Sequence, residues 1–169
     1  MRKDDKAGLV TFNEYFDTFV PASKQVGQMQ TLLENLYKQE TTFGETDFSA
    51  LCGHLGKHVN KRSFLVLYTN FSNMTSLNRQ LVYLQQLARQ HRVLVIFFED
   101  ADLKEYIAGK SVTTEDYYRH VIAEKFAFEK RLIVSTLKQH GIYSLLTTPD
   151  KLSIDVINKY LEMKSRQLL

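Results

Sequence analysis

The chain has 169 residues, of which 44% are hydrophobic and 24% are charged. This composition is typical of a globular domain with a sizeable core. Its 22 basic and 19 acidic residues are intermixed and leave a formal net charge of +3, too small and dispersed to indicate a nucleic-acid-binding surface. The longest apolar runs fall far short of the roughly 20 residues of a membrane-spanning helix. With one cysteine and no signal-peptide core, we expect a single cytoplasmic domain without a membrane segment.

The first third of the sequence predicts a β-hairpin followed by two helices. Apolar and β-branched residues at 7–12 and 15–20 predict two strands, with a tight turn at 13–14 between them and Pro21 at the end of the second. Ser23 is predicted to cap the first helix, in which Met29, Leu32, Leu33, Leu36 and Tyr37 recur at helical spacing. A second helix is predicted from Asp47, with one apolar face made of Phe48, Leu51, Cys52 and Leu55.

The rest of the sequence alternates strands and helices. Residues 62–71 and 92–99 are continuous apolar runs that predict parallel strands buried on both faces, the first of them central, with a helix between. A long helix from Thr113 to about His140 ends at Gly141. Residues 142–146 predict a third parallel strand, and Asp150 or Ser153 is predicted to cap the last helix. The predicted fold class is α/β, with three layers and a mostly parallel sheet flanked by helices.

Paired carboxylates follow the second apolar strand. In parallel sheets ligands bind beyond the carboxyl ends of the strands, and the segment Glu-Asp-Ala-Asp at 99–102 resembles the start of haloacid-dehalogenase-type phosphatases. In that family paired carboxylates act as nucleophile and general acid beside magnesium, roles that would fall to Asp100 and Asp102. The family has Thr or Val where this chain has Lys104. We therefore favour solvated carboxylates at a strand end and keep a magnesium-dependent phosphatase as the alternative function.

Two further patterns could carry function. His54 and His58 are four residues apart and share a helical face near Cys52, but no fourth metal ligand is apparent. A buried cysteine and two surface histidines are the favoured interpretation. The long helix carries more apolar residues than one core face needs, and the excess would fit a partner surface. Since the sequence has neither a nucleophile elbow nor a glycine-rich phosphate loop, it predicts no catalytic centre.

Four ordered segments carry a family resemblance: Lys-Ala-Gly-Leu-Val-Thr-Phe at 6–12, Arg-Ser-Phe-Leu-Val-Leu-Tyr-Thr-Asn-Phe at 62–71, His-Arg-Val-Leu-Val at 91–95, and Tyr-Leu-Glu-Met-Lys-Ser-Arg at 160–166. Together they resemble the domain-of-unknown-function 58 family, bacterial von Willebrand factor A-like proteins typically encoded beside MoxR-type AAA+ ATPases. The resemblance implies a Rossmann-type sheet with a divalent-metal site at its carboxyl edge. In such sites an Asp-x-Ser-x-Ser segment, a threonine and an aspartate hold the metal; Thr46 matches the threonine, and Asn70 stands at the aspartate position.

The resemblance also implies what this chain lacks. The Asp-x-Ser-x-Ser segment is absent, so we expect the chain to begin after the first central strand of the family fold, and the resemblance allows a membrane-anchored parent. Asparagine supplies no charge to a hard cation. We therefore expect a degenerate metal site at Thr46 and Asn70 and no cofactor, with Mg²⁺ only in a complete parent domain.

The expected function is a non-enzymatic interaction module that docks a protein partner, a MoxR-type ATPase, through an edge formed by Thr46, Thr69 and Asn70. The missing strand would lie between the strands that contain Leu9 and Leu65. Its absence predicts that these edges pair directly, accept a strand from a second copy to form a homo-oligomer, or leave the chain poorly stable.

Overall fold

The computed structural model describes residues 5–14, 16–40, 46–71, 73–99, 103, 106–107, 109 and 113–168. It divides into two compact units, Met1–Asn60 and Lys61–Leu169; the single domain expected from the sequence stays a prediction. In chain order the elements are β1 (Ala7–Phe12), β2 (Phe16–Ser23), α1 (Gln28–Tyr37), α2 (Phe48–His58), β3 (Phe64–Tyr68), α3 (Met74–Gln90), β4 (Arg92–Phe98), α4 (Thr114–Gln139), β5 (Tyr143–Thr147) and α5 (Leu152–Ser165).

The hairpin predicted in the first unit is confirmed. β1 pairs antiparallel with β2, and the register shifts between Ala7 and Leu9. At this shift the two backbones come close together: a Cβ on Gly8 would lie 2.7 Å from the carbonyl oxygen of Val20 and 2.8 Å from the backbone nitrogen of Ala22. The position therefore requires glycine.

The predicted end of the second strand is wrong. β2 continues through Pro21 to Ser23, because the register shift interrupts the ladder where proline has no N–H to donate. The Gln28 side-chain amide donates to the carbonyl of Pro21 at 3.0 Å and to that of Ala7 at 2.8 Å. The predicted Ser23 cap is also wrong, since α1 begins only after Gly27, which has φ 91°.

The second helix forms as the sequence predicts. The Asp47 carboxylate accepts hydrogen bonds from the backbone N–H groups of Ser49 and Ala50, at 2.8 and 3.0 Å. These bonds satisfy donors that a helix start leaves unpaired. The buried face consists of the four predicted residues, Phe48, Leu51, Cys52 and Leu55.

The second unit is built on a parallel three-stranded sheet in the order β3-β4-β5, flanked by helices, which confirms the α/β class. β4 is the central strand, and its residues from Val93 to Phe97 are at most 2% exposed. The prediction that the 62–71 strand is central is wrong: β3 lies at an edge of the sheet and is half-buried. An apolar run indicates burial but does not distinguish the middle of a sheet from an edge shielded on its faces.

The long helix α4 begins and ends at the predicted signals. Thr113 and Asp116 form a capping box, and Gly141 follows the helix with φ 73°. The predicted cap of the last helix is wrong, because Lys151 occupies that position and makes no side-chain cap. Within the described residues, no helix is both long enough and apolar enough to cross a membrane.

Candidate functional site

The carboxyl edge of the parallel sheet brings together residues that follow different strands. The backbone N–H of Thr69, just beyond β3, donates to the carbonyl of Ile96 in β4 at 3.3 Å. Beyond β4, the N–H of Glu99 donates to the carbonyl of Thr147 at 2.9 Å. These bonds continue the ladder past the strand ends. They fix Thr69 and Glu99 at one edge, where parallel sheets present ligand-binding groups.

Asn70 has a cationic partner at this edge. The Lys130 ammonium, on α4, donates a hydrogen bond to the Asn70 side-chain oxygen. Lys130 is half-buried, and the loss of hydration lowers its pKa below the usual range of a lysine. The only side-chain oxygen of Asn70 is therefore bonded to a positive charge.

The two threonines where β5 ends differ in their hydrogen bonding. The buried Thr147 hydroxyl donates to an Asp155 carboxylate oxygen at 2.5 Å, which ties the strand end to the first turn of α5. The hydroxyl of the neighbouring Thr148 is buried and has no hydrogen-bond partner among the described residues. At this corner of the edge, the Thr147 hydroxyl is thus paired and the Thr148 hydroxyl is not.

Two large aromatic side chains are exposed where β3 and β4 end. Tyr68, the last residue of β3, is 52% exposed, and Phe98, the last residue of β4, is 40% exposed. In the parallel register Tyr68 pairs with Ile96, and Ile96 and Phe98 are two residues apart in one strand. All three side chains therefore point to the same face of the sheet. Aromatic rings exposed next to one another are typical of surfaces that bind another molecule.

The other predicted site residues lie elsewhere. Thr46 is half-buried in the first unit, directly before the Asp47 cap of α2, whereas Asn70 belongs to the second unit. Asp100, Asp102 and Lys104 lie outside the described residues, so the phosphatase hypothesis stays a prediction.

The histidines of α2 stack on one another. The rings of His54 and His58 have centroids 4.3 Å apart, and Phe19 packs near both, at 5.8 and 5.4 Å. Cys52 is buried, and burial followed by the nearby Asp47 charge raises its thiol pKa to about 11. Within the described ranges, no three His, Cys, Asp or Glu side chains cluster so that they could hold a metal ion.

Sequence reasoning missed Lys130, although a signal was present. Lys130 lies seven residues after Ala123 and three before Ile133, which are both buried on the core-facing side of α4. A lysine at a core-facing position needs a polar partner near its ammonium. The periodicity of α4 therefore indicates that the Lys130 ammonium needs a hydrogen-bond acceptor, but it does not identify the acceptor residue.

The fold and edge define an α/β protein with a small parallel sheet, and the comparisons with known proteins supply its family. The model of the family described as "Protein of unknown function DUF58" matches residues 1–113, two thirds of the chain. The chain belongs to this family. The resembling segment at 160–166 lies beyond the matched part. Neither a curated protein nor a solved structure matches the chain.

Proposed function

We propose that this chain is a non-enzymatic protein-interaction module of the von Willebrand A-like type, and that it docks a protein through the carboxyl edge of its parallel sheet. The observation that carries the proposal is the pair of exposed aromatic rings, Tyr68 and Phe98, beside Thr69 and Asn70. Tyrosine and phenylalanine are enriched in the cores of protein interfaces, because each ring removes a large apolar area from water at little cost in side-chain entropy.

The rigidity of this edge supports the proposal. The hydrogen bonds of Thr69 and Glu99 extend the ladder past the strand ends, and the residues of β4 beneath the edge, Val93 to Phe97, are buried. A partner would therefore meet a preformed surface and would need to order little of it on binding. Polar groups at the rim, the Asn70 amide among them, would set the orientation of the partner.

The Lys130 ammonium argues for a protein ligand rather than a metal ion at Asn70. A divalent cation placed against the Asn70 oxygen would meet the lysine charge at close range, and no charged ligand comes from asparagine to offset that repulsion. An acidic or carbonyl-rich partner surface would be attracted to the same charge. This favours a docking role for the position that the family resemblance aligns with a metal ligand.

The partner we propose is an AAA+ ATPase of the MoxR type, a proposal that rests on the family resemblance. Binding of the purified ATPase to the full chain would be measured by titration calorimetry. Replacing both Tyr68 and Phe98 by serine should weaken binding at least about tenfold. The matched control is Val82→Ser on α3, which removes an apolar side chain of similar exposure elsewhere. If both variants lose affinity equally, or if neither loses affinity, the proposed docking edge is contradicted.

A separate assay tests the non-enzymatic part of the proposal. The chain should not hydrolyse a generic phosphate ester in the presence of Mg²⁺. Magnesium-dependent turnover that Asp100→Asn abolishes would establish the phosphatase alternative instead.

A further inference from the structure

A stripe of exposed side chains runs along α4 on the side away from the core. Its apolar members are between 39% and 65% exposed, and Lys125 in the middle is exposed as well. The stripe consists of Tyr118, Val121, Lys125, Phe128 and Leu132. The buried residues of the same helix, Ala123, Ile133 and Leu137, lie on a different face, so packing within the unit does not account for the stripe.

The spacing of the stripe is that of a coiled-coil seam. Successive members are three, four, three and four residues apart, an average of 3.5, which keeps them in line along a partner helix. At about 1.5 Å per residue, the stripe from Tyr118 to Leu132 is about 21 Å long. Tyr117 and Ile122, both more than half exposed, widen it. This is enough for a seam of two heptads, about four helical turns, on each of two helices.

The charges beside the stripe decide what kind of helix fits it. In a parallel pair of identical helices, Lys125 would face Lys125 of the second copy, and Glu124 would face Glu129. Both contacts are repulsive. In an antiparallel pair, Glu124 faces Arg131 of the second copy twice, once on each side of the two-fold axis. Lys125 then packs across Phe128, where an ammonium can lie over an aromatic ring.

The side chains that this arrangement needs are accessible. The Glu124 side chain is 58% exposed, and Arg131 is exposed, with its Nε donating to the carbonyl of Ala127 in the same helix at 3.3 Å. A two-fold interface requires the same patch to complement itself, and Glu124 with Arg131 meets that requirement. We propose that α4 is a self-association surface that pairs antiparallel with α4 of a second copy of this chain.

Sedimentation velocity of the full chain between about 5 and 300 µM tests the proposal. We expect a monomer–dimer equilibrium that Phe128→Glu weakens at least about tenfold, because a carboxylate enters the seam. Val82→Glu, an equally exposed apolar position on α3, should leave the equilibrium unchanged. A chain that stays monomeric throughout overturns the proposal and leaves the stripe to a different protein. A dimer that Phe128→Glu leaves intact also overturns it.

Charge reversal tests the orientation independently of folding. Glu124→Arg and Arg131→Glu should each weaken the dimer, because each places like charges opposite one another. The double variant should restore the original dissociation constant, since both contacts are then rebuilt with reversed signs. Circular dichroism of all three variants serves as the check that they remain folded. If the double variant dimerises as weakly as the two single losses of binding free energy add up to, the antiparallel arrangement is overturned.

Discussion

The side-chain oxygen of Asn70 accepts a hydrogen bond from the ammonium of Lys130, a residue 60 positions further along the chain. This contact joins the end of the edge strand β3 to the middle of α4. It places a positive charge at the carboxyl edge of the parallel sheet. The contact therefore bears on both the stability of the second unit and the chemistry of the proposed docking edge.

Removing the Asn70 acceptor alone should destabilise the chain, whereas removing it together with the Lys130 ammonium should not destabilise it further. Asn70→Ala should lower the free energy of unfolding by about 1 kcal/mol, because a half-buried ammonium loses its hydrogen bond. In a Lys130→Met background the same substitution should have almost no effect. Urea denaturation of the four proteins gives this double-mutant cycle. Asn158→Ala, at an exposed asparagine on α5, is the control; an identical loss for Asn70→Ala in both backgrounds would rule out the coupling.

Stability should fall in mildly acidic solution because of His91. This side chain is 2% exposed, and burial, with the Arg62 charge as a second cause, lowers its pKa below the usual 6.5. Below pH 6.5 the unfolded chain takes up the proton more readily than the folded chain, so the stability that His91 contributes at neutral pH is lost as the pH falls toward the lower, folded-state pKa.

The variant His91→Gln tests this cause. Glutamine keeps an acceptor for the backbone N–H of Ser63, which lies 3.4 Å from the His91 ring nitrogen, but it does not titrate. Its free energy of unfolding, measured from pH 7.5 to 5, should decline less than that of the parent chain. His140→Gln, at an exposed position, leaves His91 in place and should keep the parent's slope. Superimposable pH curves for His91→Gln and the parent would contradict the assignment.

Cys52 should be nearly inert toward alkylating reagents in the folded protein. Its thiol is buried and has a pKa of about 11, so very little thiolate is present at pH 8 and the reagent cannot reach it. Iodoacetamide labelling followed by mass spectrometry should be at least about tenfold slower than in urea. A Cys52→Ala chain carrying Lys57→Cys, at an exposed position of the same helix, should react equally fast with and without urea. Rapid native labelling of Cys52 would show that α2 is not packed as described.

Two glycines should respond in opposite ways to alanine. Gly8→Ala should lower the free energy of unfolding by about 2 kcal/mol, because its Cβ would collide with backbone atoms of β2. Gly53→Ala, inside α2, should raise it by about 0.5–1 kcal/mol, because the added Cβ meets no described atom within 4 Å beyond its chain neighbours and the nearby backbone of its own helix. Chemical denaturation measures the free energy of unfolding of both variants and checks the two predictions. Equal destabilisation would argue against the close approach at the hairpin.

The sequence predicted those parts of the fold in which local signals and burial agree. The start of the long helix at Thr113 and the buried apolar face of α2 depend on signals within a few residues, and both predictions are confirmed. The position of β3 was mispredicted because strand order depends on contacts between distant segments. The predicted end of β2 at Pro21 was wrong for a related reason, since whether a strand tolerates proline depends on the register of the partner strand.

The candidate site was predictable only in outline. Thr69 and Asn70 follow from the rule that ligands bind beyond the carboxyl ends of parallel strands, and the structure places them there. Lys130 comes from a helix 60 residues away. Tyr68 and Phe98 end apolar runs, and their exposure is not visible in those runs. These features arise from packing between elements, and the one local signal, the core-facing position of Lys130 in α4, does not identify its partner.

Hydrogen–deuterium exchange on the complex with the purified ATPase tests the docking edge most directly. The backbone amides of residues 68–71 and 98–99 should exchange more slowly when the partner is bound, while those of α2 should exchange at unchanged rates. Protection confined to other parts of the chain, or saturated binding with no added protection at these strand ends, would contradict the account.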